Sequence, residues 1–218
     1  MASFTRRNFG IAAGMLTAVA LSAGALISFS ASATPALEPG TAAPAFTGMT
    51  STGETISLAD FSGKTVVMEW TNHGCPFVKK HYAEPALNMQ NLQSDAADSD
   101  GNVVWIQIIS SAPGKQGYVE GAEADAINAA RGAVPAYTIL DPDGVIGHAY
   151  GAKTTPHMFV VKGAGDIAYA GAIDSIRSAR VSDIATATNY VSAAMDSVAA
   201  GQPVAVASSA PYGCSVKY

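Results

Sequence analysis

The chain has 218 residues, of which 49% are hydrophobic and 13% charged, a balance that excludes a disordered or solvating polypeptide. With 12 basic against 17 acidic residues its net charge is −5, the wrong sign for a general nucleic-acid binder, so nucleic acid is not expected as a partner. Two cysteines are too few for a disulfide-stapled miniprotein or a four-cysteine zinc site, and leave room for one disulfide or one reactive pair.

The start, Phe4-Thr5-Arg6-Arg7-Asn8-Phe9, is basic and precedes a mildly apolar run from Gly10 to Ala31. With Ala31-Ser32-Ala33 behind it, this reads as an export signal of twin-arginine type, cleaved after Ala33. An ordinary secretory signal and an uncleaved anchor are the alternatives. Gly14, Ser22, Gly24 and Ser28 interrupt the apolar run, which argues against an anchor and against stable membrane insertion of the processed chain. Residues 1–33 hold two arginines and no acid, so the processed chain carries −7. Export to a bacterial periplasm places both cysteines where a disulfide persists.

From residue 34 the chain reads as one domain to 201, followed by a tail, 202–218, that carries Cys214. Thr34 to Ala45 is an extended lead-in, and Ala45 to Leu58 a short hairpin turning at Thr52-Gly53-Glu54. Thr65 to Trp70 is β-branched and aromatic, as a buried central strand should be. Cys75-Pro76 follows closely; proline suits the first position of a helix, so Cys75 caps a helix that starts at Pro76. That helix should bend or break near Pro85, with a second stretch from about Ala86 to Asp95. Val103 to Ile109 is a strand, Glu120 to Arg131 a helix, and Tyr137 to Leu140 a short strand closed by Asp141-Pro142-Asp143-Gly144. His157 to Val161 and Ile167 to Ala170 form an antiparallel hairpin. A last helix is predicted from Val181 to Ala200, with Ile184, Ala187, Val191, Met195 and Val198 on one face, Ser182 as its cap and Gly201 as its stop. The sum is an α/β fold with a central mixed sheet flanked by helices, in the order of the thioredoxin-like fold.

A helix N-terminus offers unpaired N–H groups and the positive end of the dipole, which favour a thiolate at Cys75. His73, Lys79, Lys80 and His81 are close in sequence and would depress its pKa further if they face the sulfur. Glu69, on the buried strand, could serve beneath the cysteine as proton acceptor or donor, or could simply reach solvent or pair with a lysine.

Val66 to Tyr82, VVMEWTNHGCPFVKKHY, resembles the active-site strand, turn and helix of the thioredoxin superfamily, in particular its exported, peroxiredoxin-like redoxin (AhpC/TSA-type) branch. Tyr150-Gly151-Ala152-Lys153-Thr154-Thr155-Pro156-His157 is similar to a second block of that branch, as is Tyr212-Gly213-Cys214 near the C-terminus. The resemblance implies a redox role for Cys75, a buried acid at Glu69, and a cis peptide at Thr155-Pro156 whose backbone edge lies beside the cysteine, where a partner peptide can pair. It implies no cofactor. With Thr71 and His73 in the turn before the cysteine, Thr155 and Pro156 complete the expected substrate-facing residues. Two departures stand out. Val78 replaces the second cysteine of C-x-x-C, and Met68 and Asn72 occupy the proline and threonine positions of the peroxidase pattern P-x-x-x-T-x-x-C, with Thr71 one place away.

Three functions follow as expectations. The first is a thiol–disulfide oxidoreductase or antioxidant protein acting through Cys75, with Cys214 folding back as resolving thiol, a thiol or disulfide protein as substrate and an external thiol as reductant. The second is a thiol peroxidase reducing peroxides, with Cys214 resolving. The third is a non-catalytic binding module in which a Cys75–Cys214 staple closes a long loop, worth about 4 to 5 kcal/mol on the chain-entropy model. His73, Cys75, His81 and His157 mix nitrogen and sulfur ligands, but their spacing gives little support to a metal site, and none is expected.

Overall fold

The computed structural model describes residues 37–218. The export signal and its cleavage site lie outside the described residues. Among the described residues no helix is long and apolar enough to cross a membrane.

Punctuation by turns and alternation of apolar residues set the strands. The elements are β1 (Thr47–Thr50), β2 (Thr55–Ser57), β3 (Thr65–Trp70), α1 (Pro76–Tyr82), α2 (Asn88–Ala97), β4 (Val103–Ile109), α3 (Gly121–Ala130), β5 (Tyr137–Leu140), α4 (Val145–Ala149), β6 (Thr154–Thr155), β7 (His157–Val161), β8 (Ile167–Gly171), α5 (Tyr190–Ala199) and β9 (Cys214–Ser215). Seven strands form one mixed sheet in the order β2-β1-β5-β4-β3-β7-β8. β3 lies parallel to β4 and antiparallel to β7, so the strand that leads to Cys75 is flanked on both sides.

Successive side chains of β3 point to opposite faces. Val66, Met68 and Trp70 enter a core with Ile106, Ile108, Phe159 and Tyr150. Val67 enters the opposite core with Val78, Met89, Leu92, Trp105 and Val191, contributed by α1, α2, β4 and α5. The same alternation turns Glu69 towards α1 and α2.

The hairpin, the strands Thr65–Trp70, Val103–Ile109 and Tyr137–Leu140, and the helix start at Pro76 occur where the sequence places them. The long C-terminal helix does not. Val181–Thr186 is a 3-10 segment, and a separate α5 begins at Tyr190. Asn189, not Ser182, is the cap: its side chain accepts from the N–H groups of Val191 and Ser192, an alternative to helical continuation that asparagine offers readily. Ile184 is accordingly left outside the buried face. α4 was not anticipated; Asp141 starts it by accepting from the N–H groups of Ile146 and Gly147 at 3.1 and 2.9 Å.

The tail has more order than its Ala, Ser and Pro content predicts. Ala170 and Ser208 form a bridge, β9 pairs with β6 and Ser111 bridges Lys217. The phenol of Tyr218 donates to the carbonyl of Ala152 at 2.9 Å.

Candidate active site

The turn between β3 and α1 is shaped by Asn72. Its side-chain oxygen accepts from Gly74 N–H at 2.9 Å, its amide donates to the carbonyl of Gln116 at 3.0 Å, and its own carbonyl receives Cys75 N–H at 3.0 Å. Cys75 is then the N-cap of α1, with Pro76 at the first helical position. Its sulfur is fully buried, and the carbonyl of Thr155 lies 3.0 Å away.

Residues 154 and 155 pair antiparallel with 215 and 214, and the Thr155-Pro156 peptide is cis. This ladder brings Cys214 Sγ to 2.9 Å from Cys75 Sγ, across 139 residues of chain. Both are free thiols, and a bond of about 2.05 Å would need only a small approach. Gly213, between the tail and Thr155, has φ +137, and a Cβ there would strike the Thr155 carbonyl. Only glycine fits so close a passage.

The two sulfurs differ electrostatically. Burial pushes the Cys75 thiol up, but hydrogen bonding from the Cys214 side chain and backbone and from the Val78 N–H outweighs it and holds it below its ordinary value. Cys214 is pushed up to about 11 by burial, by its hydrogen bond to Cys75 and by the charge on that sulfur, with Lys217 opposing. The pair therefore favours a Cys75 thiolate facing a protonated Cys214.

The cations close in sequence do not supply this effect. Lys80 and His81 are buried on the side of α1 and turn to Asp174, at 3.0 and 3.8 Å, and to Tyr212. Burial, against Asp174 and with help from Lys80, lowers His81 to about 4, so it is neutral near pH 7. His73 and Lys79 line a neighbouring pocket with Tyr82, Ile127 and Arg131. Burial lowers the His73 pKa, Glu123 opposes, and Arg131 and Lys79 add to the lowering.

Glu69 makes no hydrogen bond to Cys75. It is fully buried and accepts from the Tyr82 phenol at 2.8 and 3.0 Å, from the Trp105 indole at 3.0 Å, and from Gln93 and Gln107 at 3.3 and 3.4 Å. Burial, with the Glu69 charge beside it, raises the Tyr82 phenol well above its ordinary value, which keeps it a donor. The Thr71 and Thr155 hydroxyls are buried without a hydrogen-bond partner among the described residues. His157 is buried against Phe159, and burial with Lys153 beside it lowers its pKa to about 3. His73, Cys75, His81 and His157 do not converge: no group of three or more His, Cys, Asp or Glu that could hold a metal occurs among the described residues.

Sequence reasoning passed over Asn72, Tyr82, Gln93, Trp105 and Gln107 as site residues, and over Asp174 and Tyr212. For Gln93 and Gln107 a signal existed: polar side chains inside apolar helix and strand patterns, which must find partners when buried.

A mixed sheet flanked by helices, with a cysteine capping the helix after its central strand and a cis-proline beside it, defines a thioredoxin-fold protein of the thiol-bearing kind. The family model described as Redoxin matches residues 38–188. The chain belongs to the redoxin family. The match includes Cys75, Thr155 and Pro156 and ends before Tyr212 and Cys214. Among solved structures, an uncharacterized conserved protein from Geobacillus kaustophilus is 21% identical with a TM-score of 0.70, covering 84% of this chain and 93% of its own. A hypothetical protein from Sinorhizobium meliloti 1021 is 23% identical with a TM-score of 0.67, covering 84% and 95%. At these identities the likeness is one of fold. No match to a curated protein is found.

Proposed function

We propose that the protein is a thiol–disulfide oxidoreductase in which Cys75 and Cys214 alternate between a dithiol and an intramolecular disulfide. The observation that carries this reading is the 2.9 Å approach of Cys214 Sγ to a Cys75 that caps a helix. The Cys75 thiolate attacks one sulfur of a substrate disulfide R–S–S–R, forming Cys75–S–S–R and releasing RS⁻. That step removes the negative charge from Cys75, and with it the hydrogen bond and charge that raise Cys214, leaving burial opposed by Lys217. Cys214 then loses its proton more easily, and its thiolate attacks the Cys75 sulfur. The second RS⁻ leaves as the Cys75–Cys214 bond forms; the protein has lost two electrons and the substrate has gained them. Two external thiols reverse the cycle.

The partners under this reading are a disulfide-bearing substrate and a thiol reductant. Arg6-Arg7 and Ala31-Ser32-Ala33 support action outside the cytoplasm, where such a cycle has substrates. Thr155 and Pro156 would shape the surface beside the sulfurs, with Thr71 and His73 in the turn that leads to Cys75, while Glu69 would hold α1 and α2 against β3 and β4. The test is reduction of a small disulfide and a protein disulfide by the wild type and by Cys75→Ser and Cys214→Ser. Cys75→Ser should lose turnover entirely, and Cys214→Ser should accumulate mixed disulfides. Undiminished turnover in Cys75→Ser would overturn the proposal, and Cys75-dependent consumption of hydrogen peroxide without disulfide turnover would favour a peroxidase.

A further inference from the structure

We propose that Tyr212 is the positioning residue that presents Cys214 to Cys75, and that the buried Lys80–Asp174 pair serves to hold it. The inference rests on the dithiol cycle proposed above and names a part of it that neither cysteine supplies.

The Tyr212 hydroxyl, 3% exposed with its ring, donates to Asp174 Oδ1 and lies 3.5 Å from Lys80 Nζ and 3.3 Å from His81 Nε2. Asp174 Oδ2 receives Lys80 Nζ at 3.0 Å, and Lys80 also donates to the carbonyl of Ile176 at 3.2 Å. The Asn88 amide donates to His81 Nδ1 at 3.0 Å, which leaves Nε2 as the donor to Tyr212. The phenol thus gives its proton to Asp174 and receives protons from Lys80 and His81.

A buried ion pair is an expensive way to hold a helix in place, because desolvation of the two charges consumes most of their attraction; an apolar pair of the same volume does as well. What the ions add is geometry. From Pro203 to Pro211 the tail is Ala, Val, Ser and Pro; its hydrogen bonds to Ala170 and Ala172 hold it as far as Ser209, and beyond Ser209 the phenol bonded to a fixed carboxylate is the next side-chain hold. Phe77, Lys80 and His81 lie at three- and four-residue spacing on α1, and Phe77 packs edge-on against the Tyr212 ring at 5.9 Å. The helix that carries Cys75 at its cap therefore carries the tail's anchor along its side. Only Gly213 separates Tyr212 from Cys214, about 7 Å of chain at most, and it is pressed to the Thr155 carbonyl. The preceding hold is Ser209, whose hydroxyl bonds Tyr169 and the Ala172 N–H at 2.7 and 2.9 Å. With Tyr212 released, no side chain anchors the segment between Ser209 and Cys214, which is then placed only by the β9–β6 pairing and the contacts of Lys217 and Tyr218 beyond it, and its effective concentration at Cys75 falls.

The test equilibrates the full chain in glutathione redox buffers and counts dithiol and disulfide forms by mass after acid quench and alkylation. Tyr212→Phe keeps the ring and removes the hydroxyl. It should weaken the Cys75–Cys214 bond about tenfold or more, a shift of about 30 mV for this two-electron couple. In stopped-flow reaction of the reduced protein with an aromatic disulfide, release of the first thiolate should be as fast as in the wild type or faster, and release of the second slower by the same factor. Asp174→Asn, nearly isosteric, should act in the same direction. Equilibrium constants and second-phase rates within twofold of the wild type in both variants would overturn the anchor. A wild type that forms no Cys75–Cys214 bond in any buffer would instead remove the cycle beneath it.

Discussion

Thr155 and Cys214 are register partners in a two-residue antiparallel ladder, and this pairing joins the cis-proline segment to the end of the chain. It replaces a dithiol within one helical turn by a dithiol closed over 139 residues. The edge at Thr154–Thr155 that would otherwise be free for a partner peptide is taken by the protein's own tail.

Cys75 should alkylate with a midpoint below that of a free thiol, about pH 8.5. Cys214→Ala removes the side-chain donor that helps lower Cys75, so the midpoint should rise towards the free-thiol value. Rates of iodoacetamide labelling against pH, read at the Cys75 peptide, check both statements.

Gly213→Ala should loosen β9 from β6, since φ +137 and the Thr155 carbonyl leave no place for a methyl group. The expected result is closure of the Cys75–Cys214 bond at least tenfold slower, with the far-UV spectrum unchanged. Wild-type closure kinetics in this variant would show that the ladder does not present Cys214.

Glu69→Ala should cost roughly 3 kcal/mol or more of unfolding free energy, because it leaves the Tyr82, Trp105, Gln93 and Gln107 donors without their acceptor in the core. Glu69→Gln, which keeps an acceptor oxygen, should cost less. Urea unfolding of the reduced proteins gives both values.

Acid should destabilise the fold through His81 and His157. Their native pKa values, about 4 and about 3, lie below the ordinary 6.5, so the unfolded chain binds protons that the native protein does not. Their contribution is complete above about pH 6.5 and is lost as pH falls towards 4, at up to about 1.4 kcal/mol per pH unit for each. His157→Gln should flatten that slope, which denaturant unfolding between pH 7 and 4 measures.

The strands and the Cys75 cap were legible because each is a local statement: β-branched runs bounded by turn residues, and a Cys-Pro step after a buried strand. The C-terminal helix was misread for the converse reason. Ile184, Ala187, Val191, Met195 and Val198 keep a helical period across Thr186-Ala187-Thr188-Asn189, yet the cap chemistry of Asn189 ends one segment and begins another. Lys80 and His81 read as cations that could face the sulfur because nothing nearby in the chain announces Asp174, 94 residues on from Lys80, as their partner. The tail's order was invisible for the same reason: its anchors, Tyr212 on Asp174 and Cys214 on Thr155, are contacts between distant parts of the chain.

The most direct test of the dithiol cycle is the reduction potential of the Cys75–Cys214 pair in the folded full chain, with the linkage verified by non-reducing peptide mapping. A lowered Cys75 and a partly exposed Cys214 predict a reversible couple between about −270 and −120 mV, the range of thioredoxin-fold oxidoreductases. A bond that resists glutathione, with a potential below about −300 mV, would make the pair a structural staple and contradict the account.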